Sequence, residues 1–296
     1  MKLLNGKELA EFIQERQSHQ VRALTQAGNV QPKLAIVLTV DDPTIAVYTR
    51  MKKRYGSEID IDVDIHSVAQ AEVPALLEQL NTDATVYGII VQLPLQDPSQ
   101  TEEIVNLVAP EKDVDALGKD AIYEPATPLA ILWLLAGYNV DLRGKKVLLV
   151  GRGKLVGAPL ERMLLDSGVD VAVADRSTKD LKAETLKADV IITATGKAGL
   201  ITADMIKPQA VVVDAGVAGE KGKTVGDVAT DVYERDDLTI TPVKGGVGPL
   251  TVCALFDNVI RASRRAVEQG RVANVVATDS SDKATETAPT ADPAVE

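Results

Sequence analysis

Four short apolar runs, KKVLLVG, VDVAVAD, DVIITATG and AVVVDAG, recur between residues 145 and 216. The intervals between them leave room for helices. Strands separated by helical spacers imply βαβ units and a parallel sheet. LTITPVKGG follows as a further strand with a glycine-rich exit. GPLTVCALFDNVIRASRRAVEQ then has the length and apolar spacing of a helix.

The first half of the chain carries a similar alternation. Residues 7–26 predict an amphipathic helix with Leu9, Phe12, Ile13 and Leu24 among its apolar positions. KLAIVLTV predicts a buried strand, and Asp41, Asp42 and Pro43 offer a turn or a helix start. A helix is expected from Thr44 to about Tyr55, then a strand in IDVDIHSV, a helix around ALLEQL, and a third strand, VYGIIVQLPL, that runs into a proline-marked loop. After about Val276 the apolar period stops. The last twenty residues, 277–296, hold five acidic side chains and one lysine, which predicts a disordered acidic tail.

At 296 residues the chain has room for two α/β domains and a sizeable core. A net charge of −11 argues against a general binder of nucleic acid or anionic membranes. Cys253 is the one cysteine, so no disulfide can form within the chain, as suits a reducing cytoplasm. His19 and His66 are the only histidines, too few for a histidine-rich metal site, and no metal is expected. The N-terminus, MKLLNGKELAEF, turns charged before an apolar run develops. It therefore reads as neither a signal peptide nor a membrane span.

VLLVGRGKLVGAPL places Gly151, Gly153 and Gly157 after a strand and before a helix. A tight turn there lets a pyrophosphate approach a helix N-terminus, although the spacing is one residue longer than the usual dinucleotide fingerprint. The bland alternative is a glycine-rich βα loop with no ligand. Asp175, Arg176 and Ser177 follow the next strand, where such a domain reads the adenosine ribose. A carboxylate there suits NAD, whereas an arginine, with Arg152 also in reach, suits the extra phosphate of NADP. Sequence leaves that choice open.

Tyr48 stands four residues before Lys52, which stacks the two on one helical face. The same Tyr-x-x-x-Lys spacing occurs in short-chain dehydrogenases, but there it follows the glycine fingerprint, and here it precedes it. A different family has the right order. VYTRMK, VQLPL, EKDVDALG, PATP, GRGKLVGAP and TPVKGGVGPLTV together resemble the bifunctional methylenetetrahydrofolate dehydrogenase/cyclohydrolase family over residues 1 to about 270.

That resemblance implies oxidation of methylenetetrahydrofolate with NADP (NAD being possible), followed by hydrolysis of the methenyl product to formyltetrahydrofolate. It implies a homodimer whose tetrahydrofolate substrates bind in a cleft between two α/β domains. The first is a folate-binding domain, 1–122, completed by the C-terminal helix at about 255–272. The second, 123–254, is a Rossmann-like dinucleotide-binding domain with a mainly parallel sheet. Lys52 matches the catalytic lysine, Gln92 the residue that tunes it, Tyr48 the aromatic that packs on the folate, and Asp115 the acid that grips the pterin. Asp113 reads as structural. Val91, Gln92 and Leu93 would line the substrate side, with Gly245, Gly246, Gly248, Pro249 and Thr251 at the domain junction. Gly151, Arg152, Gly153, Gly157, Asp175, Arg176, Ser177 and Val217 would hold the cofactor.

Several positions depart from the family pattern. Ile45 and Gly153 stand where serines are usual, Ala116 and Ala130 where glycines are, Asp175 where a histidine is frequent, and Lys244 where a proline is. Other readings are an NAD-preferring dehydrogenase with little cyclohydrolase activity, a non-catalytic folate- or nucleotide-binding protein, and an unrelated dinucleotide enzyme. Intact Tyr48, Lys52, Gln92 and Asp115 speak against the non-catalytic protein, and VQLPL with KDVD against the unrelated enzyme.

Overall fold

The structure is a computed structural model that describes residues 1–220 and 223–270. The acidic tail expected at 277–296 lies outside the described residues. In chain order the first half runs β1 (Lys2–Leu3), α1 (Gly6–Gly28), β2 (Lys33–Leu38), α2 (Pro43–Glu58), β3 (Asp62–Ser67), α3 (Val73–Thr82), β4 (Gly88–Val91) and α4 (Thr101–Val105). The second half runs α5 (Ala126–Gly137), β5 (Val147–Val150), α6 (Gly157–Asp166), β6 (Val171–Ala174), α7 (Leu181–Lys187), β7 (Val190–Thr193) and β8 (Val211–Asp214). It ends with β9 (Ala218–Glu220), β10 (Lys223–Val225), β11 (Thr239–Ile240) and α8 (Val247–Glu268).

Two parallel sheets result. One has the order β3-β2-β4, and the other is β1-β11-β8-β7-β5-β6. In the larger sheet the chain moves from β5 to β6 on one side, then to β7, β8 and β11 on the other. The order therefore reverses at β5, and such a switch point opens a crevice beyond the carboxyl ends of the strands. The expected α/β class with a mainly parallel second sheet is what forms. One crossing was not visible beforehand: β1 joins the larger sheet, with Lys2 N donating to Leu238 O and Leu4 N to Ile240 O, both at 2.8 Å.

Asn5 caps α1, its Oδ1 accepting from Glu8 N at 3.3 Å, and Asn29 ends the helix in the left-handed region at φ 49°. The buried stripe of α1 is Ala10, Ile13, Gln17, Val21 and Leu24, at the three-and-four spacing of one helical face. Phe12 does not belong to it. One residue before Ile13, it turns about 100° away from that face and is 66% exposed. There it lines a surface groove of about 730 Å³ with Arg16, His19 and Val267.

Helix α8 returns from the larger sheet to the first half. It packs on α1, α2 and α5. Phe256 lies with its ring centroid 5.1 Å from that of Tyr55, and Gln17 Nε2 donates to Cys253 O at 2.8 Å. Burying Phe256, Val259 and Ile260 stabilises this seam by roughly 1.5–3 kcal/mol per side chain. The helix thus ties the first half to the glycine-rich turn from which it starts.

Candidate active site

Asp42 starts α2, its Oδ1 accepting from Ile45 N at 3.1 Å. Four residues apart on that helix, Tyr48 and Lys52 turn the same way. Tyr48 remains 40% exposed, which leaves its ring accessible, whereas Lys52 is half-buried. Lys52 Nζ donates to Gln92 Oε1 at 2.8 Å. Gln92 lies one residue past β4, where its backbone N still donates to Val37 O at 2.9 Å. Its Nε2 donates to Leu93 O at 3.0 Å, which turns the amide oxygen toward the lysine.

Asp115 shares this enclosure. Burial pushes its carboxyl above the ordinary carboxylate range, against the pull of the Lys52 charge. Burial likewise lowers Lys52 below the ordinary lysine value, opposed by Asp115. Enclosure therefore disfavours both charges, and each partly sustains the other. Asp113 is buried and spent on its own loop, accepting from Gly118 N at 2.8 Å and Leu117 N at 3.4 Å. Val91 sits in the core at 3% exposure, and Leu93 is half-buried.

The strand exit at 245–251 forms a second part. Gly245 adopts φ +82°, and its carbonyl accepts from Lys7 N at 2.9 Å. Gly6 approaches the Gly246 carbonyl so closely that no Cβ would fit. Gly248 and Pro249 lie in the first turn of α8, and Thr251 Oγ1 lies 3.5 Å from Thr127 Oγ1. Among the described residues no hydrogen bond joins this turn to Lys52. The link is α8: Asn258 Nδ2 donates to Val114 O and Glu124 O, each at 2.9 Å, beside Asp115.

The third part lies beyond β5. Gly151 has φ +101° and donates from N to Ala174 O at 2.8 Å. Gly157, the first residue of α6, packs so tightly on the Gly151 carbonyl that a Cβ has no place. Around Gly153 a Cβ would meet nothing within 4 Å, so sterics do not demand glycine there. Asp175 Oδ1 accepts from Ser177 N at 2.8 Å and Ser177 Oγ at 2.6 Å, bonds that hold its carboxyl below the usual range. Arg176 is exposed, and Arg152 Nε donates to Glu161 Oε2 at 2.6 Å. Val217 is 62% exposed in the turn after β8. The buried Asp227 stabilises the neighbouring turn after β7, accepting from Thr195 N at 2.6 Å and Lys197 N at 2.8 Å.

Four contributors were not singled out from sequence: Gly6, Asn258, Asp227 and Glu161. Asn258 left a trace, as a polar residue inside the apolar stripe of α8. The other three act across long separations and left none.

A family model for the catalytic domain of tetrahydrofolate dehydrogenase/cyclohydrolase matches residues 4–115, and one for the NAD(P)-binding domain of the same enzymes matches residues 125–267. The Bifunctional protein FolD of Heliobacterium modesticaldum is 41% identical over 273 residues, spanning 87% of this chain and 94% of its own. The crystal structure of the bifunctional FolD methylenetetrahydrofolate dehydrogenase/cyclohydrolase from Campylobacter jejuni superposes with a TM-score of 0.83. It is 35% identical and covers 90% of this chain and 99% of that one. The Trypanosoma brucei enzyme, solved with NADP and an inhibitor, also gives 0.83 at 27% identity, over 90% of this chain and 98% of that one.

Proposed function

The chain belongs to the tetrahydrofolate dehydrogenase/cyclohydrolase family, and from that premise we propose that Tyr48, Lys52, Gln92 and Asp115 carry its chemistry. The protein is a bifunctional enzyme of one-carbon metabolism. It oxidises methylenetetrahydrofolate to methenyltetrahydrofolate with NAD(P) and hydrolyses that product to formyltetrahydrofolate.

The residues present fit a dinucleotide: the Gly151–Gly157 turn is a cradle that any side chain at Gly157 would fill. A dinucleotide held there would supply the hydride acceptor for the methylene carbon of the folate. The protein's share in that step is orientation. Tyr48 packs on the folate, and Asp115 grips the pterin through paired hydrogen bonds that fix its angle. Gly245, Gly246, Gly248, Pro249 and Thr251 form the wall on the other side. Gly151, Arg152, Gly157, Asp175, Arg176, Ser177 and Val217 hold the dinucleotide.

The hydrolysis needs water delivered to a cationic carbon and protons carried away. Lys52 does this in its neutral form, which its enclosure favours, and Gln92 holds the amine in place. The 2.8 Å contact between Lys52 and Gln92 is the observation that carries the reading. The division of labour falls between a folate-binding domain at 1–122, completed by the last helix, and a dinucleotide domain at 123–254. The working form is a cytoplasmic homodimer, a state that sedimentation measures directly. Among the described residues no helix is long and apolar enough to cross a membrane.

The test follows reduced nicotinamide and methenyltetrahydrofolate as separate absorbance signals, with methylenetetrahydrofolate and either NADP or NAD. Reduced cofactor without methenyl build-up is expected. Methenyl build-up would remove the role given to Lys52, and no reduction despite folate binding would leave only a binding protein.

A further inference from the structure

The ribose end of the dinucleotide site contains a carboxylate that its sequence did not advertise. Resting on the reading of Gly151–Gly157 as that site, the residues just after β6 face the adenosine ribose. Arg152 and Arg176 on these two loops are matched by the carboxylates of Glu161 and Asp175, so the formal charges of the four cancel. Arg152 is the cation nearest the glycine turn, yet its Nε donates to Glu161 Oε2 at 2.6 Å. Glu161, in the first half of α6, is only 19% exposed at its side chain, which makes it a well-held partner. Asp175 also feels the Arg152 charge. The guanidinium is thus already paired with Glu161 and lies close enough to Asp175 to lower its carboxyl slightly.

The other candidate phosphate ligand is engaged as well. Ser177 Oγ donates to Asp175 Oδ1 at 2.6 Å and Ser177 N donates to the same oxygen at 2.8 Å. Among the described residues Asp175 Oδ2 has no hydrogen-bond partner, so it remains an acceptor for hydroxyl donors. A ribose diol supplies two such donors. A ribose 2′-phosphate keeps only the 3′-hydroxyl as a donor and would set roughly two negative charges against that oxygen. Arg176 alone is left to offset them.

We propose that Glu161 and Asp175 together set the cofactor preference of this enzyme toward NAD over NADP, Glu161 by occupying Arg152 and Asp175 by accepting from the free ribose hydroxyls. Asp175 and Arg176 read alone leave the choice balanced, and the Glu161–Arg152 pair tips it.

The test is calorimetric titration of the purified full-length protein with NAD, NADP, 5′-AMP and 2′,5′-ADP, in wild type and in Glu161→Gln and Asp175→Asn. Wild type should bind NAD more tightly by about tenfold or more, the scale of one hydrogen bond to a charged group. It should also hold 2′,5′-ADP no better than 5′-AMP. Each substitution should move the NAD-to-NADP affinity ratio toward NADP by several-fold, at about the scale of an ion pair near the surface. Tighter binding of NADP by wild type overturns the inference, as does a ratio that neither substitution moves. If none of the four ligands binds, the dinucleotide site itself has been misassigned, an outcome separate from a wrong preference.

Discussion

Asn258 Nδ2 lies 2.9 Å from the carbonyl oxygen of Val114 and so fastens the closing helix to the residue before Asp115. The same nitrogen reaches Glu124 O, and Asn258 is wholly buried. A helix that begins at the glycine-rich turn thereby fixes the backbone next to Asp115. The geometry of the site depends on a residue that touches no substrate.

Replacing Asn258 with Ala leaves two carbonyls short of a donor in a closed interior. The expected loss is about 2–3 kcal/mol of stability, read from denaturant midpoints. Because Asp115 follows Val114 directly, KM for the folate should rise more than kcat falls. Asn258→Asp, whose carboxylate has no N–H to donate and would face both carbonyl oxygens, should cost at least as much as Ala. An unchanged KM in a well-folded variant would remove the positioning role.

Lys52 should confer a pH dependence of definite sign. Its folded value is lowered by burial, so between that value and about 10.4 the unfolded chain binds the extra proton. Stability therefore rises with pH through this window, and Lys52→Met should abolish the rise. The hydrolysis rate should climb as pH rises through the folded value, where the neutral amine forms, and level off across the window above it. Gln92→Glu places a charge at 2.8 Å contact distance and should move that limb upward. Lys52→Met should cut hydrolysis by about a hundredfold or more, and oxidation less.

Asp115 predicts the opposite slope at the acidic end. Burial raises its folded value, so from about 3.9 upward the folded state retains a proton that the unfolded state has released. Stability contributed by this site is full below that point and falls as pH rises through the folded value. Asp115→Asn should flatten the fall while weakening folate binding. A variant that keeps wild-type slope would show that Asp115 ionises as freely as in the unfolded chain.

The parts of this fold visible in sequence are those with local causes. Strands β5, β7 and β8 announced themselves because buried strands need unbroken apolar runs, and α8 because its period extends over 22 residues. β1 stayed hidden because two residues carry no period, and its partner β11 lies more than 230 residues away. Phe12 misled because an apolar residue on a helix can face water as well as core. Tyr48 and Lys52 were legible as a pair on one helical face. Gln92, Asp115 and the glycine-rich turn acquired roles only through the family resemblance. Glu161 and Asn258 needed coordinates, since each meets its partner through the tertiary fold.

Ala116 holds φ at +56°, in the left-handed region that favours glycine. A side chain in the left-handed region costs about 1–2 kcal/mol, less the entropy that glycine loses on folding. Ala116→Gly should therefore raise stability by roughly 1 kcal/mol, seen as a higher denaturant midpoint at unchanged slope. A loss of stability would mean that the packing of the Ala116 methyl outweighs the backbone strain.

The glycines of the phosphate turn should not behave alike. A Cβ on Gly157 would press on the Gly151 carbonyl and on the Arg152 backbone, so Gly157→Ala must displace the turn from β5. A shift of this kind, near 1 Å, is enough to cost about a hundredfold in a positioned complex. Dinucleotide affinity measured by calorimetry should fall on that scale, with a lower melting temperature because the start of α6 moves too. Gly153→Ser meets open space and should change stability by no more than about 0.5 kcal/mol. Its hydroxyl would lie in the turn itself, and dinucleotide affinity should stay within about threefold of wild type, since a new hydroxyl there strains nothing. Equal losses from the two substitutions would mean that the spacing of the glycines, and not the contact between Gly157 and Gly151, governs binding.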